Sequence, residues 1–353
     1  MPQNKILINR LQEYYGKILK HNGDLQTAAC CTDGSPPENI RKILEQIEPE
    51  VLSRYYGCGS PIPPEIEGLR ILDLGCGSGR DAYILSKLVG ENGYVLGLDM
   101  TEEQLAVAEK YRDAQMKTFD FPKPNVEFKL GYIEDLESVG IANDSFDVVV
   151  SNCVINLSPD KRAVFREIFR VLKPGGELYF SDVFSDRRLP EKLIHDPVLH
   201  GECLSGAMYI EDFRRILISL GCADYRTISR KKININNPEI EKRIGVAQFY
   251  TITVRAFKLP ELEDICEDFG QAALYLGTAN ENPHYFDLDD HHRFFKGKIT
   301  PVCGNTVSML KDTRFGKHFS IIGDRSVHFG PFPCGPEPSS TNSTDSNESS
   351  CGC

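Results

Sequence analysis

The run LeuAspLeuGlyCysGlySerGlyArg, residues 72–80, constrains this chain more than any other stretch. An apolar segment of strand length runs directly into three glycines at alternate positions, Gly75, Gly77 and Gly79, and then into a helical pattern. Glycine is needed in such a turn because the backbone must bend tightly and pass close to a ligand that a Cβ would exclude. Apolar runs of strand length recur at 70–74, 94–98, 126–130, 146–151 and 177–183, with helical patterns at 79–87, 101–114 and 159–172 between them. This alternation predicts an α/β fold, a doubly wound Rossmann-like parallel sheet with helices on both faces. The β-branched and aromatic run 248–257 is expected to add the last strand of that domain.

The rest of the chain divides around this core. Residues 1–68 read as a helical lead-in that carries thiols and closes on the proline-rich stretch 60–64. The main domain is expected over 69–258, with an insert around 185–245, followed by a small α+β appendage at 259–334. The polar tail 335–353 has almost no apolar content before its final CysGlyCys and is expected to be disordered. A formal charge of −11 without any Lys/Arg block argues against a nucleic acid or anionic membrane partner. The N-terminus lacks the apolar stretch of a secretion signal and no run of 18 apolar residues occurs, so a soluble, cytoplasmic protein is expected. Twelve cysteines are many for a reducing compartment, where metal binding, redox chemistry or plain burial accounts for them better than a disulfide framework.

The turn is GxGxG rather than GxGxxG, and Asp73 precedes it inside the strand. Asp99 ends the second strand 20 residues after Gly79, where a carboxylate can accept hydrogen bonds from both hydroxyls of a ribose. Together with AspSerPheAsp at 144–147 and LysProGlyGly at 173–176, this pattern resembles the class I S-adenosylmethionine-dependent methyltransferases over roughly residues 65–185. The resemblance implies that Asp73, Gly75, Gly77 and Gly79 form the loop at the methionine end of S-adenosylmethionine. It further implies that Asp99 binds the ribose, that Met100 and Glu134 lie near the adenine, and that Asn152 faces the methionine portion.

Cys153 follows Asn152 at the carboxyl end of the fourth strand, the crevice where open α/β sheets bind ligands. A thiol is a poor general base but a strong soft ligand, which suggests a soft acceptor. Four cysteine contexts, AspLeuGlnThrAlaAlaCysCys ending at Cys31, ArgTyrTyrGlyCysGly around Cys58, SerAsnCysValIleAsnLeu around Cys153 and GlyGluCysLeu around Cys203, resemble those of the arsenite methyltransferases. The likeness extends over nearly the whole chain to about residue 330. It implies that Cys58, Cys153 and Cys203 hold trivalent arsenic, whose lone pair is the nucleophile, so that no general base is needed. Electrons would return through Cys31 or its neighbour Cys30 from thioredoxin or glutathione. Cys76, Cys222 and Cys266 read as small buried hydrophobes without a role. Two other functions are compatible with parts of the pattern: methylation of a small organic or lipid-like acceptor, and non-catalytic metalloid binding or redox sensing by a thiol-rich protein.

Overall fold

The computed structural model describes residues 8, 11–18, 36–57, 59–190, 193, 199, 204–235 and 237–334. Cys30, Cys31, Cys58, Cys203 and the tail from 335 lie outside the described residues.

After two short helices, α1 (Glu38–Leu44) and α2 (Pro49–Ser53), the chain alternates β1 (Arg70–Leu74), α3 (Arg80–Val89), β2 (Tyr94–Asp99), α4 (Glu102–Thr118), β3 (Val126–Leu130), β4 (Phe146–Asn152), α5 (Lys161–Val171) and β5 (Leu172–Ser185). Next come β6 (Met208–Tyr209), α6 (Ile210–Ser219), β7 (Tyr225–Lys232), α7 (Pro238–Ile244) and β8 (Phe249–Phe257). The eight-stranded sheet runs β3-β2-β1-β4-β5-β8-β7, with β6 beside β5. Strands β1 to β5 are mutually parallel, whereas β8 runs antiparallel to both β5 and β7. This is the doubly wound α/β sheet expected from the alternation. Residues 71–74 of β1 are all buried, as they must be in a strand covered on both faces.

Each face has its own core. On one, Ala82, Leu85 and Val89 of α3 pack with Val95, Val148 and the lead-in residues Ile40 and Val51. On the other, Val164 and Ile168 of α5 and Phe213 and Leu217 of α6 meet Leu178, Phe180 and the C-terminal residues Phe286, Phe315 and Phe319.

Beyond β8 the strands are short: β9 (Glu267–Asp268), β10 (Ala272–Tyr275), β11 (Tyr285–Asp287), β12 (Arg293–Phe295), β13 (Ile299–Pro301), β14 (Phe319–Ile322) and β15 (Gly330–Pro331), with helix α8 (Gly304–Lys311) after β13. β10 lies between β13 and β14, β11 pairs with β12, and β15 with β9. A buried charge cluster joins this region to the sheet. Glu177 of β5 is 2.6 Å from Arg255 of β8 and 2.5 Å from Arg314, and Arg314 also donates to the carbonyl of Pro64. The fully buried carboxylate has two guanidiniums facing it, the arrangement that offsets the cost of burying charge.

Some boundaries differ from those expected. β5 begins at Leu172 rather than 177, because Leu172 pairs with Phe146 and a register shift carries LysProGlyGly past β4 before Val148 meets Glu177. Helix α4 runs on to Thr118, four residues beyond the expected end. Strand β7 was not anticipated: its outer half, SerArgLysLys, is an exposed edge without apolar alternation. Among the described residues no helix is long and apolar enough to cross a membrane.

Candidate active site

The strand order reverses between β1 and β4, so their carboxyl ends diverge and leave a crevice between the loops that follow them. Asp73, Gly75, Gly77, Asp99, Met100, Glu134, Asn152 and Cys153, all singled out from the sequence, line one cavity there, which encloses about 1000 Å³ including its open mouth.

The three glycines of the turn do different things. Gly75 has φ +71°, and a Cβ on it would come within 2.4 Å of the Val154 side chain. Gly77, at φ +53°, would project a Cβ into open space within the cavity lining. Gly79 does not line the cavity. It caps α3 at φ +90°, and a Cβ there would sit 3.0 Å from Phe128 and 3.1 Å from Ala108. Gly75 and Gly77 thus line the cavity, while Gly79 is held to glycine by helix packing. Alanine at Gly79 is expected to cost about 2 kcal/mol of fold stability, from left-handed backbone and crowding together. Alanine at Gly77 carries the left-handed backbone cost without the crowding and meets only open space beside the cavity, so it should cost less stability than at Gly79 and weaken ligand binding more. Thermal melts beside ligand titrations of the two variants check this division.

Three carboxylates surround the turn. Asp99 accepts from the backbone N–H of Gly77 at 2.9 Å and of Thr101 at 2.8 Å. Burial raises its pKa against those hydrogen bonds. Asp73 is 2% exposed, and its Oδ2 has no hydrogen-bond partner. Burial, then Asp81, then Asp99 push its pKa well above the usual carboxylate range. Asp81 is ion-paired with Arg80 at 2.8 Å and accepts from Asn152 Nδ2 at 2.8 Å. The unpartnered Asp73 oxygen leaves a buried acceptor open toward the crevice.

Asn152 also donates to the Tyr55 hydroxyl at 2.6 Å and to the Gly59 carbonyl at 3.0 Å. Arg80 stacks over the Tyr55 ring at 3.8 Å. A Cβ at Gly57 would meet Asn152 Nδ2 at 2.6 Å, and one at Gly59 would meet Ser181 Oγ at 2.8 Å. Both neighbours of Cys58 are thus packed against Asn152 at the end of β4 and Ser181 beside it in β5, next to Cys153.

Cys153 is 3% exposed, donates its N–H to the Ser181 carbonyl at 2.8 Å and has φ +56°, a left-handed backbone that is rare outside glycine. Such strain costs about 1–2 kcal/mol and persists where the surroundings impose it. It turns the side chain into an apolar cluster with Leu11, Leu157, Val183, Leu199 and Leu204. Leu204 is the residue after Cys203, so a second cysteine-bearing segment reaches the same cluster. Cys153 is disulfide-bonded, and the five other described cysteines are free thiols, so its partner lies outside the described residues. Cys76 is buried on the cavity wall, and its pKa is pushed well up by burial, then by Asp99 and Asp73.

Other residues of the site were missed by sequence reasoning. Leu11 and Tyr15 of the N-terminal segment line the cavity, held by Gln12 Nε2 donating to the Met100 carbonyl at 2.8 Å and Gln104 Nε2 donating to the Tyr15 carbonyl at 3.0 Å. Arg80 and Asp81 follow the glycines directly, and that adjacency was the one available signal. Glu134 accepts from Ser158 Oγ at 2.5 Å on the cavity wall.

A family model described as a methyltransferase domain matches residues 66–221. An arsenite methyltransferase of Aquipseudomonas alcaligenes is 53% identical over 92% of this chain and 94% of its own length. The arsenite methyltransferase of Homo sapiens is 45% identical over 89% of this chain and 84% of its own. The crystal structure of an arsenic(III) S-adenosylmethionine methyltransferase from Chlamydomonas reinhardtii superposes with a TM-score of 0.82 at 51% identity, covering 84% of this chain and all of that one. With that identity over that length, and with the glycine turn, Asp73, Asp99 and Cys153 gathered at one crevice, the chain belongs to the arsenite methyltransferase family.

Proposed function

We propose that this chain methylates trivalent arsenic held on the thiolates of Cys58, Cys153 and Cys203, using S-adenosylmethionine bound along the glycine turn and giving mono- and dimethylated arsenicals. The observation that carries the proposal is convergence. The residues flanking Cys58 pack on Asn152 at the end of β4 and on Ser181 beside it, and the residue following Cys203 packs in the cluster of Cys153, beside the acidic turn.

The cavity fits the methyl donor. The unpartnered Asp73 oxygen suits the methionine ammonium, Asp99 suits the ribose, and the open face of Gly77 admits the ligand against the backbone. Bound there, S-adenosylmethionine supplies an electrophilic methyl group on a sulfonium centre. The remaining work falls to the chain. Three thiolates leave arsenic with a lone pair as nucleophile, so no side chain has to take a proton. Alignment and exclusion of water are then the catalytic task, and positioning of this kind is worth about 7–11 kcal/mol. Leu11, Tyr15, Tyr55 and Tyr56 supply that cover.

Transfer turns the arsenic lone pair into a bond and so oxidises arsenic. Two electrons must return from a thiol pair that becomes a disulfide. The Cys30/Cys31 pair serves in that role by closing to a disulfide, which thioredoxin or glutathione then reduces in a cytoplasmic setting. The disulfide at Cys153 accords with this proposal, since a disulfide sulfur must be reduced before it can ligate arsenic.

The test is incubation of the protein, first reduced and then freed of reductant, with methyl-labelled S-adenosylmethionine and arsenite, with and without a thiol reductant. Labelled arsenicals that stop accumulating after about one turnover when the reductant is withheld are the expected result. Label that reaches only an organic acceptor would displace arsenic as the substrate.

A further inference from the structure

Cys266, Cys303 and Cys334 come from three separate positions in the C-terminal region: immediately before β9, at the cap of α8, and beyond β15. Their sulfur atoms all lie within 4.8 Å of one another, and all three are free thiols. Cys266, expected from the sequence to be a small buried hydrophobe, is instead partly exposed, as is Cys334, while Cys303 is fully buried. The cluster is rooted in the core and open on one side. None of the three lines the active-site cavity.

The surroundings favour ionised sulfur at Cys303, while Cys266, through Cys303 and then burial, and Cys334, through burial, keep their protons more firmly than a free thiol. Arg226 of β7 is 4% exposed and places Nη2 at 3.9 Å from Cys303 Sγ, while its Nε has no hydrogen-bond partner. Thr306 Oγ1 lies 3.2 Å from the same sulfur. Cys303 also stands at the N-terminus of the eight-residue helix α8, whose dipole favours an anion. The adjoining Cys266 thiol, and after it Arg226, hold Cys303 well below the usual thiol range despite its burial.

Simple packing would not draw three cysteines to one point, and a disulfide uses only two. Structural zinc sites take four ligands, yet no fourth His, Cys, Asp or Glu belongs to this group among the described residues. Three thiols, with no fourth donor among the described residues, match a soft ion that forms three bonds in a pyramid and keeps a lone pair.

We infer that Cys266, Cys303 and Cys334 form a second thiolate site that captures trivalent arsenic outside the methyl-transfer cavity. The inference rests on arsenite as the substrate of this chain. Capture from arsenous acid forms three As–S bonds and breaks three As–O bonds. The three hydroxyls leave as water with the protons of Cys266 and Cys334 and one from solvent in place of that of the ionised Cys303, and no electrons change hands.

The experiment uses the full chain, reduced, with arsenite as the probe. Bound arsenic is counted by elemental mass spectrometry after gel filtration, and its neighbours are read by X-ray absorption at the arsenic edge. Cys334→Ser is expected to retain one equivalent of arsenic fewer than wild type while still transferring labelled methyl to arsenic. Cys153→Ser is expected to keep an arsenic with three sulfur neighbours, which Cys153→Ser/Cys334→Ser loses. Cys303 is buried at a helix cap and its replacement can unfold the region, so Cys266→Ser is the second variant, with thermal melts confirming that both fold. Unchanged arsenic content on replacing Cys334 and Cys266 overturns the inference, as does zinc held on the cluster that arsenite fails to displace. Failure of the arsenic-methylation proposal appears separately, as absence of labelled arsenical from wild type whatever the arsenic count.

Discussion

Replacing Cys153 with serine is expected to abolish methyl transfer to arsenic, by on the order of 10³-fold or more, because positioning is the main source of rate in this reaction. Serine keeps nearly the same volume, so the apolar cluster around position 153 stays filled and the left-handed backbone is retained. What is lost is the soft ligand: a hydroxyl does not ionise at neutral pH and does not hold a thiophilic ion. The result is informative because the same variant should bind S-adenosylmethionine normally, since Asp73, Gly77 and Asp99 reach the crevice from β1 and β2 rather than from β4. Radiolabel on arsenic and calorimetric affinity for the methyl donor are the two measurements. Retained transfer with serine at 153 would point to an organic acceptor.

Replacing Asp73 with asparagine is expected to weaken binding of S-adenosylmethionine on the order of 10²–10³-fold, the range for removing one charge of a buried, hydrogen-bonded pair. The side chain is buried with an unpartnered oxygen, so the bound ammonium would supply its missing counter-charge. The sign of the pH dependence follows. Burial, Asp81 and Asp99 raise the Asp73 pKa in the ligand-free protein, so lowering the pH through that value protonates the carboxyl and removes the charge the cation needs. Affinity for the methyl donor therefore rises with pH across that range, and the asparagine variant flattens the profile. Stability of the ligand-free fold runs the other way. A carboxyl whose folded pKa exceeds its unfolded one costs stability as pH rises through the folded value, and asparagine removes that cost. Melts of the ligand-free proteins over pH, beside titrations with the methyl donor, separate the two effects. A wild-type affinity indifferent to pH would show that Asp73 is not the cation's partner.

Much of the lining of the crevice was legible because its signals are local. Gly75 and Gly77 need positive φ within a few residues of a buried strand, and Asp99 ends the next strand, so spacing alone brings them together. The third glycine shows the limit of such reasoning. Gly79 obeys the same pattern for a different cause, the closeness of Phe128 and Ala108. Those neighbours come from β3 and α4, and no sequence spacing announces them.

The sequence by itself determined the alternating α/β architecture, the glycine turn with its two acids, and the soft thiol at the end of β4. Each of these rests on a period or a spacing within one or two elements, and backbone sterics translate such patterns directly into local structure. The tertiary structure alone decided which distant segments meet. It placed Leu11 and Tyr15 over the cavity, set the exposed-edge strand β7 at the end of the sheet, and gathered Cys266, Cys303 and Cys334 within reach of Arg226. A side chain's period reports which way it faces and carries no record of its partner. Cysteines separated by 37 and 31 residues become neighbours only when β9, α8 and β15 pack together.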